Sequence, residues 1–272
     1  MKKFLTAVAL MAMAFTAGAW TQRAPNPVDA CRVHAPYGFP QTQGVQPLCQ
    51  QAYLVGYDAA AKLPKFVTYQ LLPQNALGCV ARTNAFATNQ FIQGGATPQD
   101  YAGSGYDQGH IANDAHQSWD QQVEYESFLM SNMSPQLPGL NRGIWKLLET
   151  STGAWTFSRN HTLLIYAGNI YTVGKDKTIG ADKVTVPNKL WKIVIDTQTK
   201  EVLAFLFPQA ENQGNDLTKV QVSVADVEAA SGLTIPLPAG ADKHAKPALW
   251  AVDFKAVAAA KKTLCKGDPG ND

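Results

Sequence analysis

Apolar residues alternate or run in blocks through the middle of the chain, and the blocks set most of the elements. AYLVGYD (52 to 58) and KFVTYQL (65 to 71) are aromatic and β-branched stretches joined by a short polar link, which predicts an antiparallel hairpin. HTLLIYAGNIY, DKVTVPN, LWKIVIDT and EVLAFLFP follow as four further strand-like segments. YDQGHIA reads as a short strand or strand end, and FLMSNMSPQ as a short segment ending in turn residues. Helical spacing is sparser. Residues 114 to 126 carry a helical pattern. LNRGIWKLLET (140 to 150) places Asn141, Trp145 and Glu149 at i, i+4 and i+8 on a shared side of a helix. VSVADVEAASG reads as a helix with Ser223 or Asp226 as its cap and Gly232 near its stop. Residues 20 to 50, rich in Pro, Gln and Gly, read as a surface wrap. Strands dominate, with helices between and beside them and no regular βαβ alternation. The expected class is α+β, mainly an antiparallel sheet core with flanking helices.

The N-terminus changes how the rest is counted. MKKFLTAVALMAMAFTAGAW has two lysines, an apolar run from Phe4 to about Ala17, and small residues at Ala17 and Ala19. That is the pattern of a secretory signal peptide over residues 1–19, with an apolar run too short to span a bilayer. No cysteine stands at the cleavage point, so no lipid anchor is expected. The expected product is an exported protein, periplasmic or secreted, with one domain over 20–272, no membrane contact after cleavage and no obligate protein partner. Its tail, 266–272, reads as loose. Losing Lys2 and Lys3 lowers a balance of 23 Lys+Arg against 21 Asp+Glu from +2 to zero. A broad phosphate-binding surface would show as excess positive charge, so any nucleic-acid binding must use a local patch.

The cysteines, Cys31, Cys49, Cys79 and Cys265, form no C-x-x-C pair, which argues against a zinc ribbon or thioredoxin-type motif. An even number in an exported chain reads as two disulfides. Three connectivities are possible; Cys31–Cys49 as a local clip and Cys79–Cys265 as a long staple are favoured.

SGYDQGHIANDAH (104 to 116) concentrates the candidate chemistry, with Asp107, Gly109, His110, Asn113, Asp114 and His116 in a short span. Arg82, Asn132, Asn141 and Glu149 complete an ordered set of polar candidates. A zinc site on His110, Asp114 and His116 is disfavoured, because the histidines are six apart and no distal third ligand stands out.

SGYDQGH, then SNMSPQ, then LNRGIWKLLE resemble the DNA/RNA non-specific endonucleases, the ββα-metal nucleases, whose pattern is S-G-[YF]-D-R-G-H, S-N-x-x-P-Q and L-N-x-G-x-W-x-x-L-E. The early hairpin, LLIYAGNIY, VTVPNKLWKIVID, AFLFPQAEN and VSVADVEAASGL extend the resemblance over roughly residues 50–235. It implies a ββα-metal active-site motif and a Mg²⁺ cofactor, with Mn²⁺ as a substitute, acting on DNA and RNA as substrates. It implies His110 as general base activating water and Asn141 as the metal ligand through its amide oxygen. Glu149 would hold a metal-bound water, and Asn132 would orient a water or the His110 loop. Arg82 stands where the family often has an arginine contacting phosphate. Asp107 would tie the loop and fix how His110 is presented. Trp145 and Leu148 read as core residues, and Asn113, Asp114 and His116 as loop or helix-start residues, with Asp114 able to cap. One departure stands out: the family's D-R-G-H is D-Q-G-H here. Gln108 keeps hydrogen-bonding capacity but loses the charge. Arg142 or Lys146 could replace that charge near the substrate. The competing expectation is a nucleic-acid-binding protein whose catalysis is weakened or lost because of Gln108.

Overall fold

The long apolar runs occur because both faces of one sheet are covered. In the computed structural model, which describes residues 22–266, seven strands form an antiparallel sheet in the order β1-β2-β3-β6-β9-β10-β11. These are β1 (Gln46–Cys49), β2 (Leu54–Asp58), β3 (Leu63–Leu71), β6 (Leu163–Ile170), β9 (Lys189–Asp196), β10 (Val202–Pro208) and β11 (Gln221–Val222). Side chains alternate between faces along each strand. Val67, Tyr69, Ile165, Val194 and Phe205 bury one face against Trp145, Leu148 and Trp155. Phe66, Leu164, Tyr166, Ile193 and Ala204 bury the other against Val224 and Val227. A strand covered on both sides has few polar positions, hence LLIYAG and LWKIVI.

The helices are α1 (Pro98–Tyr101), α2 (Asp114–Gln117), α3 (Gln121–Ser127), α4 (Lys146–Arg159), α5 (Val224–Ser231) and α6 (Phe254–Leu264). Two short ribbons stand apart from the sheet: β4 (Asp107–His110) with β5 (Met133–Gln136), and β7 (Thr178–Ile179) with β8 (Val184–Thr185). Both expected disulfides are present, Cys31–Cys49 and Cys79–Cys265. The hairpin of β2 and β3 and the α5 boundaries also match expectation. Ser223 and Asp226 form a reciprocal capping box, and Gly232 ends α5 in the left-handed region.

Several expectations are corrected. The helix expected over 114–126 is two helices, because Asp120 accepts hydrogen bonds from the backbones of Gln122 and Val123 and starts α3 afresh. DKVTVPN supplies only β8, outside the main sheet; Pro187 follows and has no N–H to donate to a ladder. The helix expected over 140–150 is interrupted: a helical turn over Leu140–Trp145 is kinked at Gly143, whose backbone is non-helical, and α4 then runs on to Arg159 and stops at Asn160 in the left-handed region. The wrap over 20–50 contains an edge strand, β1. α6 was not anticipated. The expected signal peptide, residues 1–19, lies outside the described residues, as does the tail from 267. Among the described residues, no helix is long and apolar enough to cross a membrane.

Candidate active site

The ribbon β4–β5 presents His110, and the helix that starts at Leu140 closes against it. His110 pairs with Met133 in register, and Gly109 with Ser134. Gly109 is required by close approach: a Cβ there would lie 2.3 Å from the Gln136 side chain. Beyond His110 the backbone is clamped by Asn132. The Asn132 amide oxygen accepts from Ala112 N–H at 2.8 Å, and its amide nitrogen donates to the carbonyls of Ala112 (2.9 Å) and Ser127 (2.8 Å). Asn132 is therefore fully engaged in holding the His110 loop.

Two cross-links stitch β4 to the following helix. Asn141 donates its amide nitrogen to Asp107 Oδ2 at 2.9 Å, and Trp145 donates its indole N–H to the His110 carbonyl at 3.3 Å. A carboxylate only accepts, so Asp107 fixes which way the Asn141 amide faces and leaves its oxygen free. Arg142 grips the same carboxylate with two donors, at 2.8 and 2.6 Å. Partial burial would raise the Asp107 carboxyl, but the hydrogen bonds from Arg142 and Asn141 and the Arg142 charge outweigh it and hold it below the usual range.

His110 is 6% exposed, and among the described residues its Nε2 has no hydrogen-bond partner. Its ring meets Phe128 edge-on at 4.7 Å and Phe86 at 5.8 Å. Burial lowers its pKa to about 4; the Asp114 charge pulls upward and the Arg82 charge pushes down. The imidazole is thus neutral across the physiological range. Arg82 lies 4.8 Å over the Phe128 ring and is ion-paired with Asp114. Arg82, Asp114, Phe128 and His110 therefore form one cluster.

Glu149 sits on the buried side of α4, and Lys192 of β9 reaches it at 3.2 Å. Lys192 is fully buried, with its ammonium 4.1 Å from the centre of the Trp145 ring. Burial holds the Glu149 carboxyl above the usual range; Lys192 pulls it down, the Asp114 charge pushes it up, and a side-chain hydrogen bond from Asn113 pulls it down, without cancelling the burial. His116 has both ring nitrogens occupied, Nδ1 by the Tyr69 hydroxyl (2.9 Å) and Nε2 by the Glu149 carbonyl (3.0 Å). It has no nitrogen left for a metal, and the zinc arrangement on His110, Asp114 and His116 loses its basis. Among the described residues, no group of three or more His, Cys, Asp or Glu could hold a metal.

The three motifs thus fold into a ribbon carrying a buried histidine, whose Nε2 has no hydrogen-bond partner among the described residues, followed by a helix start that carries the Asn141 amide. The family model for DNA/RNA non-specific endonucleases matches residues 32–239. The chain belongs to that family. The nuclease is 29% identical to human mitochondrial nuclease EXOG over 234 residues, 79% of this chain and 63% of that protein. It is 32% identical to a nuclease of Nostoc sp. over 199 residues, 68% of this chain and 71% of that one. A chain in the crystal structure of the EndoG/EndoGI complex superposes with a TM-score of 0.65 at 24% identity, covering 77% of the nuclease and 91% of that chain. The match to EXOG spans less than two thirds of its length.

The family depends on a divalent metal. In the nuclease, the donors that fit such an ion are the free amide oxygen of Asn141 and, through water, the Glu149 carboxyl. One neutral oxygen and one carboxylate suit a hard cation that keeps several waters. Gln108 stands on β4 opposite Pro135, with its amide nitrogen 3.8 Å from the Met130 sulfur. Arg142 has its donors on Asp107, so its charge is already largely balanced and is a poor replacement for the arginine missing at 108. In the sequence, Asp114 reads only as a helix-start residue or a member of the disfavoured zinc site, and Lys192 is not singled out at all. A lysine alone in the apolar strand LWKIVI was the available signal, because a fully buried lysine must be paired.

Proposed function

We propose that the nuclease is an exported, Mg²⁺-dependent endonuclease that hydrolyses phosphodiester bonds in both DNA and RNA, with His110 as the general base. The observation that carries this is the buried Nε2 of His110, neutral and without a hydrogen-bond partner among the described residues, on a ribbon whose backbone is held by Asn132 and Trp145. A neutral imidazole with a free ring nitrogen accepts the proton of an attacking water. Burial keeps the ring neutral, so the base is ready without first losing a proton. Phe86 and Phe128 exclude bulk water around it, which strengthens nearby electrostatic interactions. Arg82 contacts the substrate phosphate by exchanging Asp114 for a non-bridging oxygen, and its charge then opposes the charge that builds in the transition state. Asp114 in turn is left beside His110, where it stabilises the imidazolium formed by proton uptake.

Asn141 and Glu149 would hold the metal, the first directly and the second through a bound water. When bound, a divalent ion neutralises phosphate charge and stabilises the leaving oxygen. Asp107 keeps the Asn141 oxygen turned outward, and Lys192 opposes the upward shift that burial imposes on the Glu149 carboxyl. The two disulfides agree with an oxidising compartment and support export.

The test is cleavage of plasmid DNA and of RNA by the purified chain, with Mg²⁺ and with EDTA, beside His110→Ala. We expect both substrates to be cut, EDTA to stop cutting, and the variant to lose about 10²–10⁴ in rate. Retained activity in His110→Ala would refute the assignment of the base. A gel shift without cleavage in Mg²⁺ would favour the binding-protein reading and point to Gln108.

A further inference from the structure

The family match ends at residue 239, and α6 lies beyond it. None of its eleven residues is buried; the buried residue at that end is Cys265, which follows it. α6 therefore adds almost nothing to the core, yet Cys265 staples it to Cys79. From Phe254 to Lys266 the chain carries Lys255, Lys261, Lys262 and Lys266 and no acid. Among the described residues, none of these lysines has an ion-pair partner. Lys261 and Lys262 stand in the last turn, where cations complement the helix dipole. Lys255 stands in the first turn, where a cation opposes it, so helix stability does not account for its placement. Lys255 and Lys262 are exposed and seven apart, on one side of α6, and Lys266, also exposed, follows just past the helix end at Cys265. At helical rise Lys255 and Lys262 are about 10 Å apart, the length of about three base pairs of one strand.

The staple also fixes where this charge stands. The Cα atoms of Cys79 and Cys265 are 5.3 Å apart. Arg82 follows Cys79 by three residues, so its Cα lies within about 16 Å of that of Cys265 at full chain extension. Apart from the signal peptide expected at 1–19, the chain has balanced charge, and this is a local, unpaired cationic patch tethered beside the catalytic cluster.

We propose that α6 is an auxiliary nucleic-acid surface, in which Lys255, Lys262 and Lys266 bind the phosphate backbone flanking the cut and the Cys79–Cys265 disulfide holds them in register with Arg82. This rests on the nuclease reading for its ligand, but its test needs no cleavage. Binding of a fluorescent 30-base-pair duplex is measured by anisotropy in EDTA, from 50 to 200 mM salt. The samples are wild type, Lys255→Gln/Lys262→Gln/Lys266→Gln, and the same three positions changed to Arg. Each phosphate contact contributes about 0.9 to the slope of log affinity against log salt. The Gln variant should therefore bind at least about tenfold more weakly at 50 mM and lose between two and three from the slope. The Arg variant should bind like wild type. Unchanged affinity and slope in the Gln variant would overturn the proposal. So would a loss confined to vesicles of phosphatidylglycerol with duplex binding intact, which would make α6 a membrane-facing element. Hydrolysis of a short chromogenic nucleotide diester should be equal in wild type and the Gln variant, because that substrate does not reach α6. If wild type cut nothing at all, the catalytic reading would fail while the binding result still decided this one.

Discussion

Lys192→Met tests the least expected part of the site. The substitution keeps most of the side-chain volume on β9 and removes the charge that faces Glu149. At 3.2 Å, and with an effective dielectric of about 20, the lost attraction is about 5 kcal/mol. The same change removes the ammonium 4.1 Å from the Trp145 ring centre, a contact worth up to about 2 kcal/mol when dry. Neither figure is a net cost, because burying Lys192 itself opposes folding; removing one member of a buried pair costs about 3–5 kcal/mol. The pH dependence identifies the cause. Without Lys192, burial pushes the Glu149 pKa further above its unfolded value. The folded state then keeps a proton that the unfolded state releases, so the variant loses stability as pH rises. The deficit should be small below the raised Glu149 pKa of the wild type and grow by about 1.4 kcal/mol per pH unit above it. Urea unfolding followed by tryptophan fluorescence, from pH 5 to 8, reads this directly. Adding Glu149→Gln removes the stranded carboxylate and should recover most of the loss, leaving a flat pH profile. A deficit below about 1 kcal/mol, or one that does not change with pH, would refute the argument that Lys192 compensates a buried charge.

Three further outcomes follow from the same geometry. His110 and His116 have pKa values lowered by burial to about 4 and about 3, so their contribution to stability is complete above pH 6.5 and disappears as pH falls through those values. About 3 kcal/mol from His110 alone should be lost, and the acid limb of kcat/KM should fall well below 6; a limb at 6.5 would contradict the burial of the base. Asp107→Ala frees the Asn141 amide to turn, and the Mg²⁺ concentration for half-maximal activity should rise about 10–100-fold with His110 undisturbed; a metal titration of activity measures this. Cys79→Ser/Cys265→Ser opens a link across 186 positions, worth about 5 kcal/mol by loop entropy and about 2–5 kcal/mol in measured cases, seen as a lower Tm.

Much of this was legible in the chain. DQGH, SNMSPQ and NRGIWKLLE carried the ribbon, the clamp and the helix start in order, because each needs particular residues: glycine where Gln136 approaches, an amide where one side chain must both donate and accept. The strands were legible as apolar runs. Less legible was whatever depends on a distant partner. Asp114 looked like a helix-start residue because its role comes from Arg82, thirty-two positions earlier. Lys192 looked like one polar position in a strand because Glu149 is far away in sequence. The break between α2 and α3 is a local competition that a smooth helical pattern conceals: Asp120 caps more favourably than it continues a helix. α6 has an apolar side at Val257, Ala260 and Leu264, but alanines and lysines make up most of the rest and no side chain of it is buried, so the pattern was weak.

The long staple has a consequence for survival in the presence of proteases. Cys79 and Cys265 join the chain near its end to a point less than a third of the way along it, so everything between is a covalent ring. A protease that cuts one exposed loop in that ring, such as the 172–177 turn, opens the ring without releasing a fragment. The pieces stay linked through sulfur, the catalytic ribbon and its helix stay in one molecule, and the sheet can hold its register. Such a nicked enzyme would migrate as one band without reductant and as two with it.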